Sequence, residues 1–312
     1  MAKVIGPCLS IEARNQLGRS MIFSTRKGAN IVRAFNVPKK VKTHAQELQR
    51  ARYKNYREEW RYMTTARKTI FNARAIEQNR ISGYHQFLHE NLDISRKGQL
   101  YLDLSCQALW HLNEESADVA YDGTRNHYDC SISNVIRTPG KFAGALKFDG
   151  ISGDVTVASE INTPSWTVNM WLKSTGPSGI DFQNHFLHVR GIDASYYRFY
   201  VRGDQNKIAL RWKRADGRYT TYYPASNFPL NEWVFLSITY DNLTTTLKGY
   251  VNGLLNTTIK IVTGMWSNFG GEIYIGRNKL VADQRFNGVI DEVAIYNCAK
   301  TPEEIKSSYD LA

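Results

Sequence analysis

No stretch of the chain approaches the roughly 18 consecutive apolar residues of a membrane-spanning helix, so no helical span is expected. Cysteine is scarce too. Cys8, Cys106, Cys130 and Cys298 have no metal-ligand spacing and read as free, buried thiols; Cys106 and Cys298 would meet only if the strands carrying them pair. Residues 1–5 run into Gly6-Pro7 rather than an apolar segment, so no secretory signal is expected, and the sequons at Asn242 and Asn256 carry no weight. Nucleophile-elbow, zinc-protease and phosphate-loop motifs are all missing.

What is present is unevenly placed. The net charge of +11 lies wholly in residues 1–93, which hold 18 Lys and Arg against 7 Asp and Glu, whereas residues 94–312 hold 22 of each. Such asymmetry points to a basic module that meets an anionic partner, which would be nucleic acid, an acidic protein or a membrane face. The plain alternative is a solvated helical surface. Aromatic residues make up 12% of the chain, an enrichment that suits packing on pleated sheets.

Along the chain, Met21-Ile22-Phe23 and Ile31-Val32 flank Arg26-Lys27-Gly28-Ala29-Asn30, a hairpin in which Gly28 or Asn30 takes the left-handed turn position. Thr43-His44-Ala45-Gln46 has the form of a capping box and opens a helix free of Gly and Pro to Arg61. Leu48, Tyr53, Tyr56 and Trp60 make its apolar stripe among Arg50, Arg52, Lys54, Arg57 and Arg61. A second helix is expected from Thr65 to about Asn79, and a short third after Gly83. Residues 94–107 read as a linker between a module of residues 1–93 and a domain of residues 108–312.

Beyond the linker the texture is β. Strands are expected at 145–148, 155–157, 166–172, 186–189, 197–201, 208–212, 233–240, 248–251, 272–275 and 289–296. That spacing, with almost no helix between, predicts a mostly β antiparallel sandwich or jelly roll. In 166–172, Trp166, Val168, Met170 and Leu172 alternate with Thr167 and Asn169, as a half-buried strand requires. Asn252-Gly253 predicts a tight hairpin turn, and Thr301 with Glu304 a capping box, with Pro302 at the first helical position.

Several segments occur in a telling order: Ala108-Leu109-Trp110, Gly140-Lys141-Phe142, Phe148-Asp149-Gly150, Trp166 to Leu172, and Asn231-Glu232-Trp233. Tyr250-Val251-Asn252-Gly253, Ile273-Tyr274-Ile275-Gly276-Arg277, Gly288-Val289-Ile290-Asp291-Glu292 and Thr301-Pro302-Glu303-Glu304-Ile305 follow. In this order they resemble the laminin-G-like jelly roll of the concanavalin A-like superfamily. The resemblance implies a structural Ca²⁺ near Asp149 and Asp291, with Asp154 as a third candidate ligand, since hard cations take carboxylate oxygens. The other reading has Asp149 bracing a turn and Asp291 bonding backbone amides. Glycosidases of the superfamily carry alternating carboxylates on one strand; no such run occurs here, so no catalysis is expected.

The resemblance also implies glycan adhesion. Tyr196, Tyr197, Tyr200, Trp212, Tyr219, Tyr222, Tyr223 and Trp266 offer rings for stacking, and the candidate ligand-binding set is Trp212, Tyr219 and Tyr222 with Arg211, Lys213 and Arg214. The N-terminal run from Gly18 to Gly28, with Thr43, Gln46, Arg50, Trp60 and Phe71-Asn72, resembles a module at the start of phage structural proteins, with Arg26 and Phe71 where that module has Trp. The expectation is a virion protein, made in a host cytoplasm, that anchors through Arg26, Lys27, Lys39, Lys40, Arg50, Arg57 and Trp60. Its expected partners are capsid or tail proteins, further copies of itself and a host-surface glycan, with no membrane. The alternative is a nucleic-acid-binding protein whose basic helices resemble an HMG box.

Overall fold

Of the N-terminal unit, Met1–Glu47, a three-stranded antiparallel sheet stands out: β1 (Asn15–Leu17), β2 (Met21–Arg26) and β3 (Ala29–Ala34). The expected hairpin forms between β2 and β3, with Phe23 opposite Val32. Asn30 lies inside β3 opposite Thr25 and so does not supply the turn. In the computed structural model the described residues are 15–17, 21–26, 29–34, 44–92, 105–114, 118–157, 161, 163–176, 183–190, 196–202, 205, 207–213, 217–226, 228–261 and 272–310. Lys27, Gly28, Lys39, Lys40, Thr43 and Cys8 therefore lie outside them.

The helices are α1 (His44–Tyr62), α2 (Thr65–Glu77) and α3 (Gly83–Leu92). Thr64 caps α2 by accepting a hydrogen bond from the Arg67 amide, and Ser82 does the same for the His85 amide of α3. Tyr56, Met63, Phe71 and Phe87 form the helical core, with Trp60 packed against it. Phe71 and Phe87 meet edge to face, ring centroids 5.3 Å apart. Of the expected anchoring residues, Arg50 and Arg57 are exposed, while Trp60 is half-buried among aromatic rings. Among the described residues no helix is long and apolar enough to cross a membrane.

The strands that follow are β4 (Cys106–Trp110), β5 (Val119–Ala120), β6 (Cys130–Ser133), β7 (Ile136–Pro139), β8 (Gly144–Asp149) and β9 (Asp154–Val157). Next come β10 (Trp166–Ser174), β11 (Gln183–Arg190), β12 (Tyr196–Arg202), β13 (Lys207–Lys213) and β14 (Tyr219–Ala225). Then come β15 (Val234–Asp241), β16 (Thr246–Val251), β17 (Leu254–Lys260), β18 (Glu272–Ile275) and β19 (Asn287–Tyr296), before α4 (Pro302–Asp310). Every expected strand of the sandwich is present. Of those not anticipated, β7 and β17 are largely exposed and lack the apolar alternation that marks a buried face.

These strands make two antiparallel sheets. The first runs β17-β16-β15-β10-β19-β8-β7, and β4 also pairs with β19. The second runs β14-β13-β12-β11-β18-β9-β6-β5. β8 takes the first half of one edge of β19 and β4 the second half. Asn252 and Gly253 both adopt positive φ, 51° and 75°, as the turn between β16 and β17 requires. Cys106 lies opposite Tyr296, close in sequence to Cys298, yet neither of these cysteines, nor buried Cys130, is in a disulfide.

The core lies between the sheets, where Trp166 of β10 meets Phe199 of β12 edge to face at 5.8 Å. A second apolar cluster covers the other side of the first sheet: Trp171, Phe235, Tyr250 and Phe142 close under Ile305 and Tyr309 of α4. β10 is thus buried on both faces, not half-buried as its alternation suggested, because α4 packs over it. The capping box that starts α4 is in place, with Glu304 Oε2 accepting from the Thr301 amide at 2.8 Å and Thr301 Oγ1 accepting from the Glu304 amide at 3.2 Å.

The helices belong with the sandwich. The second unit is Leu48–Ala312, so the division of the chain falls at Glu47 and not across the linker expected at 94–107. The reason is a buried ionic cluster. Glu59 of α1, 3% exposed, places Oε2 3.7 Å from His111 Nε2 and Oε1 4.0 Å from Arg67 Nη2. His111 Nδ1 lies 2.9 Å from both carboxylate oxygens of Glu292 on β19. A register shift in β19 opposite β10, with Glu292 at φ 49°, lets Ile290 and Val293 stay in the core while Asp291 and Glu292 turn away from it. Burial works against the His111 charge, but Glu292 and then Glu59 override it and raise its pKa to about 10.

Since that folded-state value lies above the ordinary 6.5, the cluster's contribution to stability is complete below pH 6.5 and lost as pH rises through about 10. His111→Gln should cost about 3–5 kcal/mol at neutral pH by stranding two buried carboxylates, and should flatten the alkaline fall in melting temperature. A variant that keeps the wild-type alkaline slope would contradict the assignment.

Candidate functional site

The three candidate calcium ligands are each engaged by the protein. Asp149 braces its turn: Oδ1 accepts from the Ile151 and Ser152 amides at 2.7 and 2.8 Å, and Oδ2 from Ser152 Oγ at 2.9 Å. The Ser152 and Ile151 amides hold its carboxyl down at about 2. Asp154 pairs with Arg277 at 2.5 Å. Asp291 is fully buried, its Oδ2 accepting from the Phe142 amide at 2.9 Å. Burial, then the Glu292 charge, pushes the Asp291 carboxyl well above the usual range and favours its neutral form. Among the described residues no three His, Cys, Asp or Glu side chains converge as metal ligands. As a set, these residues do not fit a calcium ion.

The candidate ligand-binding residues divide between two sides of the second sheet. Trp212 enters the core, stacked on Tyr197 at 6.4 Å, and Tyr222 packs against the same cluster. Arg211, Lys213 and Tyr219 lie on the outer face; Arg214 is outside the described residues. Strand period explains the division: Ile208, Leu210 and Trp212 point inward, and Lys207, Arg211 and Lys213 outward.

β12 extends the outward set. Its Tyr197, Phe199 and Val201 enter the core, leaving Tyr196, Arg198, Tyr200 and Arg202 on the outer face. On β11 a register shift between His185 and Leu187 lets Phe186 and Leu187 both enter the core. His185 and His188 therefore share the outer face despite their spacing of three. Two rows of side chains result. Tyr274, His188, Arg198, Arg211 and Thr221 are successive cross-strand partners, and so are Tyr196, Lys213 and Tyr219.

Rings and cations interleave on this face. The Arg198 guanidinium lies 4.5 Å from the Tyr196 ring centroid, and that of Arg211 4.6 Å from Tyr219. Arg198 Nη2 donates to Tyr196 Oη at 2.6 Å and Nη1 to Gln284 Oε1 at 3.5 Å. His188 Nδ1 accepts from the Lys279 amide at 2.9 Å. Burial, then Arg198, Arg190 and Arg277, holds the His188 pKa down to about 3. The ring is therefore neutral, with its proton on Nε2. Burial and Arg198 likewise hold His185 well below its ordinary value. Among the described residues of this face the carboxylates of Glu272 and Asp154 are both engaged: Glu272 accepts from Tyr274 Oη at 2.6 Å and faces Arg190 at 3.9 Å, and Asp154 pairs with Arg277. The face offers donors and rings, not a free pair of acids.

With this geometry in place, the sequence profile of the Concanavalin A-like lectin/glucanases superfamily matches residues 149–306, and the chain belongs to that superfamily. No curated protein sequence matches it. Among solved structures it is similar to domain 4 of AbnA, an extracellular arabinanase of Geobacillus stearothermophilus in complex with arabinotriose. That match has 17% identity and a TM-score of 0.53, and covers 66% of this chain and 98% of that one. The binding domain of Paraclostridial Mosquitocidal Protein 1 follows at 13% identity and TM-score 0.52, covering 66% of this chain and 52% of that one. The ligand binding domain of botulinum neurotoxin serotype D, in complex with N-acetylneuraminic acid, has 18% identity and TM-score 0.50, with 66% and 50% covered. The chain spans about half of each toxin chain, and at these identities the likeness establishes the fold alone.

Trp212→Ala should cost about 3–5 kcal/mol of stability, as removal of a core aromatic does. Tyr219→Ala, on a side chain 51% exposed, should stay within about 0.5 kcal/mol of wild type. Equal melting shifts for the two would reverse the face assignment. EGTA should leave the melting temperature unchanged; a fall that Ca²⁺ restores would put a metal back into the sandwich.

Proposed function

We propose that the sandwich is a non-catalytic glycan-binding module and that its binding surface is the outer face of the second sheet, centred on β12, β13 and β14. The observation that carries this reading is the interleaving of Tyr196 and Tyr219 with Arg198, Arg211 and Lys213 on one face, where Tyr219 is exposed, Arg211 and Lys213 are half-buried, and Tyr196 and Arg198 lie buried beside them. Aromatic rings stack on the apolar faces of sugars, while guanidinium and ammonium groups donate to their oxygens. The complexes of the arabinanase domain with arabinotriose and of the toxin domain with N-acetylneuraminic acid support saccharide binding on this fold. Turnover is not part of the reading. Asp291 and Glu292, the adjacent buried acids, are fully enclosed and engaged by Phe142 and His111.

In the wider setting we propose, the chain is a phage virion component whose basic N-terminal residues dock to capsid or tail proteins and whose sandwich is displayed. The charge excess of residues 1–93 favours a second reading, a nucleic-acid-binding protein. Against an HMG-like use of the helices, Glu59 and Arg67 are committed to the sandwich side, with Arg67 5.1 Å from the Tyr121 ring centroid.

Titration calorimetry of the full chain against a panel of neutral and acidic oligosaccharides tests the proposal. At least one should bind, and Tyr219→Ala should weaken that binding about tenfold, or roughly 1.4 kcal/mol. Binding that ignores the substitution would place the site elsewhere. A steep, salt-dependent affinity for duplex DNA, with no saccharide bound, would favour the second reading.

A further inference from the structure

The pairing of Arg198 with Arg211 is the least expected feature of the outer face. The two are direct cross-strand partners between β12 and β13. Like charges placed so are destabilising in an antiparallel sheet. Neighbouring cations are answered by acids, Arg190 by Glu272 and Arg277 by Asp154. Among the described residues, neither Arg198 nor Arg211 is joined to a carboxylate. Arg198 is 6% exposed, and among the described residues its hydrogen bonds go to the neutral oxygens of Tyr196 and Gln284.

Donors without acceptors collect at the same place. Arg198 Nε and Arg211 Nε are buried atoms with no hydrogen-bond partner. So is Nε2 of His188, whose Cα partner across the strands is Arg198. His188 Nδ1 already accepts from Lys279, so Nε2 carries the proton and can only donate. Buried donors left unpaired cost free energy, and two facing guanidiniums add repulsion. A charged acceptor between them relieves both at once, because guanidinium forks bind planar or tetrahedral oxyanions through paired hydrogen bonds. Lys213, beside Tyr196 and Tyr219 on the adjoining row, adds a third cation.

We infer that the saccharide bound on this face carries an acidic group, a carboxylate or a sulfate ester, held between Arg198 and Arg211 with the His188 Nε2 proton directed to it. The inference rests on the binding face proposed above. Tyr219, stacked against Arg211, supplies the platform for the sugar ring, and the arginine pair selects its charge.

Calorimetry of the full chain with lactose, sialyllactose and sulfated lactose separates the possibilities, because the three share one neutral core. The acidic forms should bind at least tenfold tighter than lactose, and the preferred acid identifies the anion. Arg211→Gln, at a partly exposed position, should bring acidic and neutral forms to within about twofold. Arg198→Gln should do the same without loss of melting temperature, since it removes a buried charge that has no counter-ion. Equal affinities of the wild type for lactose and its acidic forms, with Tyr219→Ala still weakening them, would overturn the anion site and leave the binding face intact. An acidic preference that survives Arg211→Gln would overturn it too. No binding of any saccharide, here or in the wider panel, would remove the binding face and this inference together.

Discussion

The packing of α4 over Trp171 decides which surfaces of the sandwich are free to act. Ile305 is fully buried and Tyr309 stacks on the Trp171 ring, 5.9 Å between centroids. The outer side of the first sheet thereby becomes a second core rather than a surface. The Glu59–His111–Glu292 cluster extends the effect, because it ties α1 to the loop after β4 and to β19 through buried charges that stabilise one another. With the first sheet enclosed, Arg211, Lys213 and Tyr219 of β13 and β14 are partly or fully exposed on the outer face of the second, beside Tyr196, Arg198 and His188, which are buried.

That face joins two physical tendencies that usually exclude each other. Rows of cations on neighbouring strands repel, yet tyrosine rings lie beside them and lower the cost through cation–π attraction. Arg198 between Tyr196 and Gln284, and Arg211 against Tyr219, are fixed in orientation without being neutralised. A surface built this way keeps its donors in place for an incoming acceptor, so little ordering is needed on binding. The same features make it a poor place for acid–base chemistry, since Glu272 is tied to Tyr274 and Arg190.

Much of the fold was legible in the sequence because local chemistry and global fold agree there. The Asn252-Gly253 turn and the Thr301/Glu304 box each need only a few adjacent residues to be recognised. The site was less legible. Trp212 and Tyr222 are aromatic like Tyr219, and only strand phase and a register shift in β13 and β14 separate core from face. The pairing of Arg198 with Arg211 depends on cross-strand register, which no single segment encodes. His185 and His188 share a face only because of the shift on β11. The even charge of residues 94–312 also misled, since their acids are spent on turns and ion pairs, and among the described residues none is joined to Arg198 or Arg211. The helices looked separable because Glu59 sits in a basic stretch, and its partner His111 lies in another segment, 52 positions away.

A crystal structure of the full chain with sialyllactose tests the central claim most directly. The account predicts the carboxylate between the Arg198 and Arg211 guanidiniums, within hydrogen-bond reach of His188 Nε2, and a sugar ring against Tyr219. Saccharide bound on the first sheet, or in the N-terminal unit, with the arginine pair left empty, would contradict it.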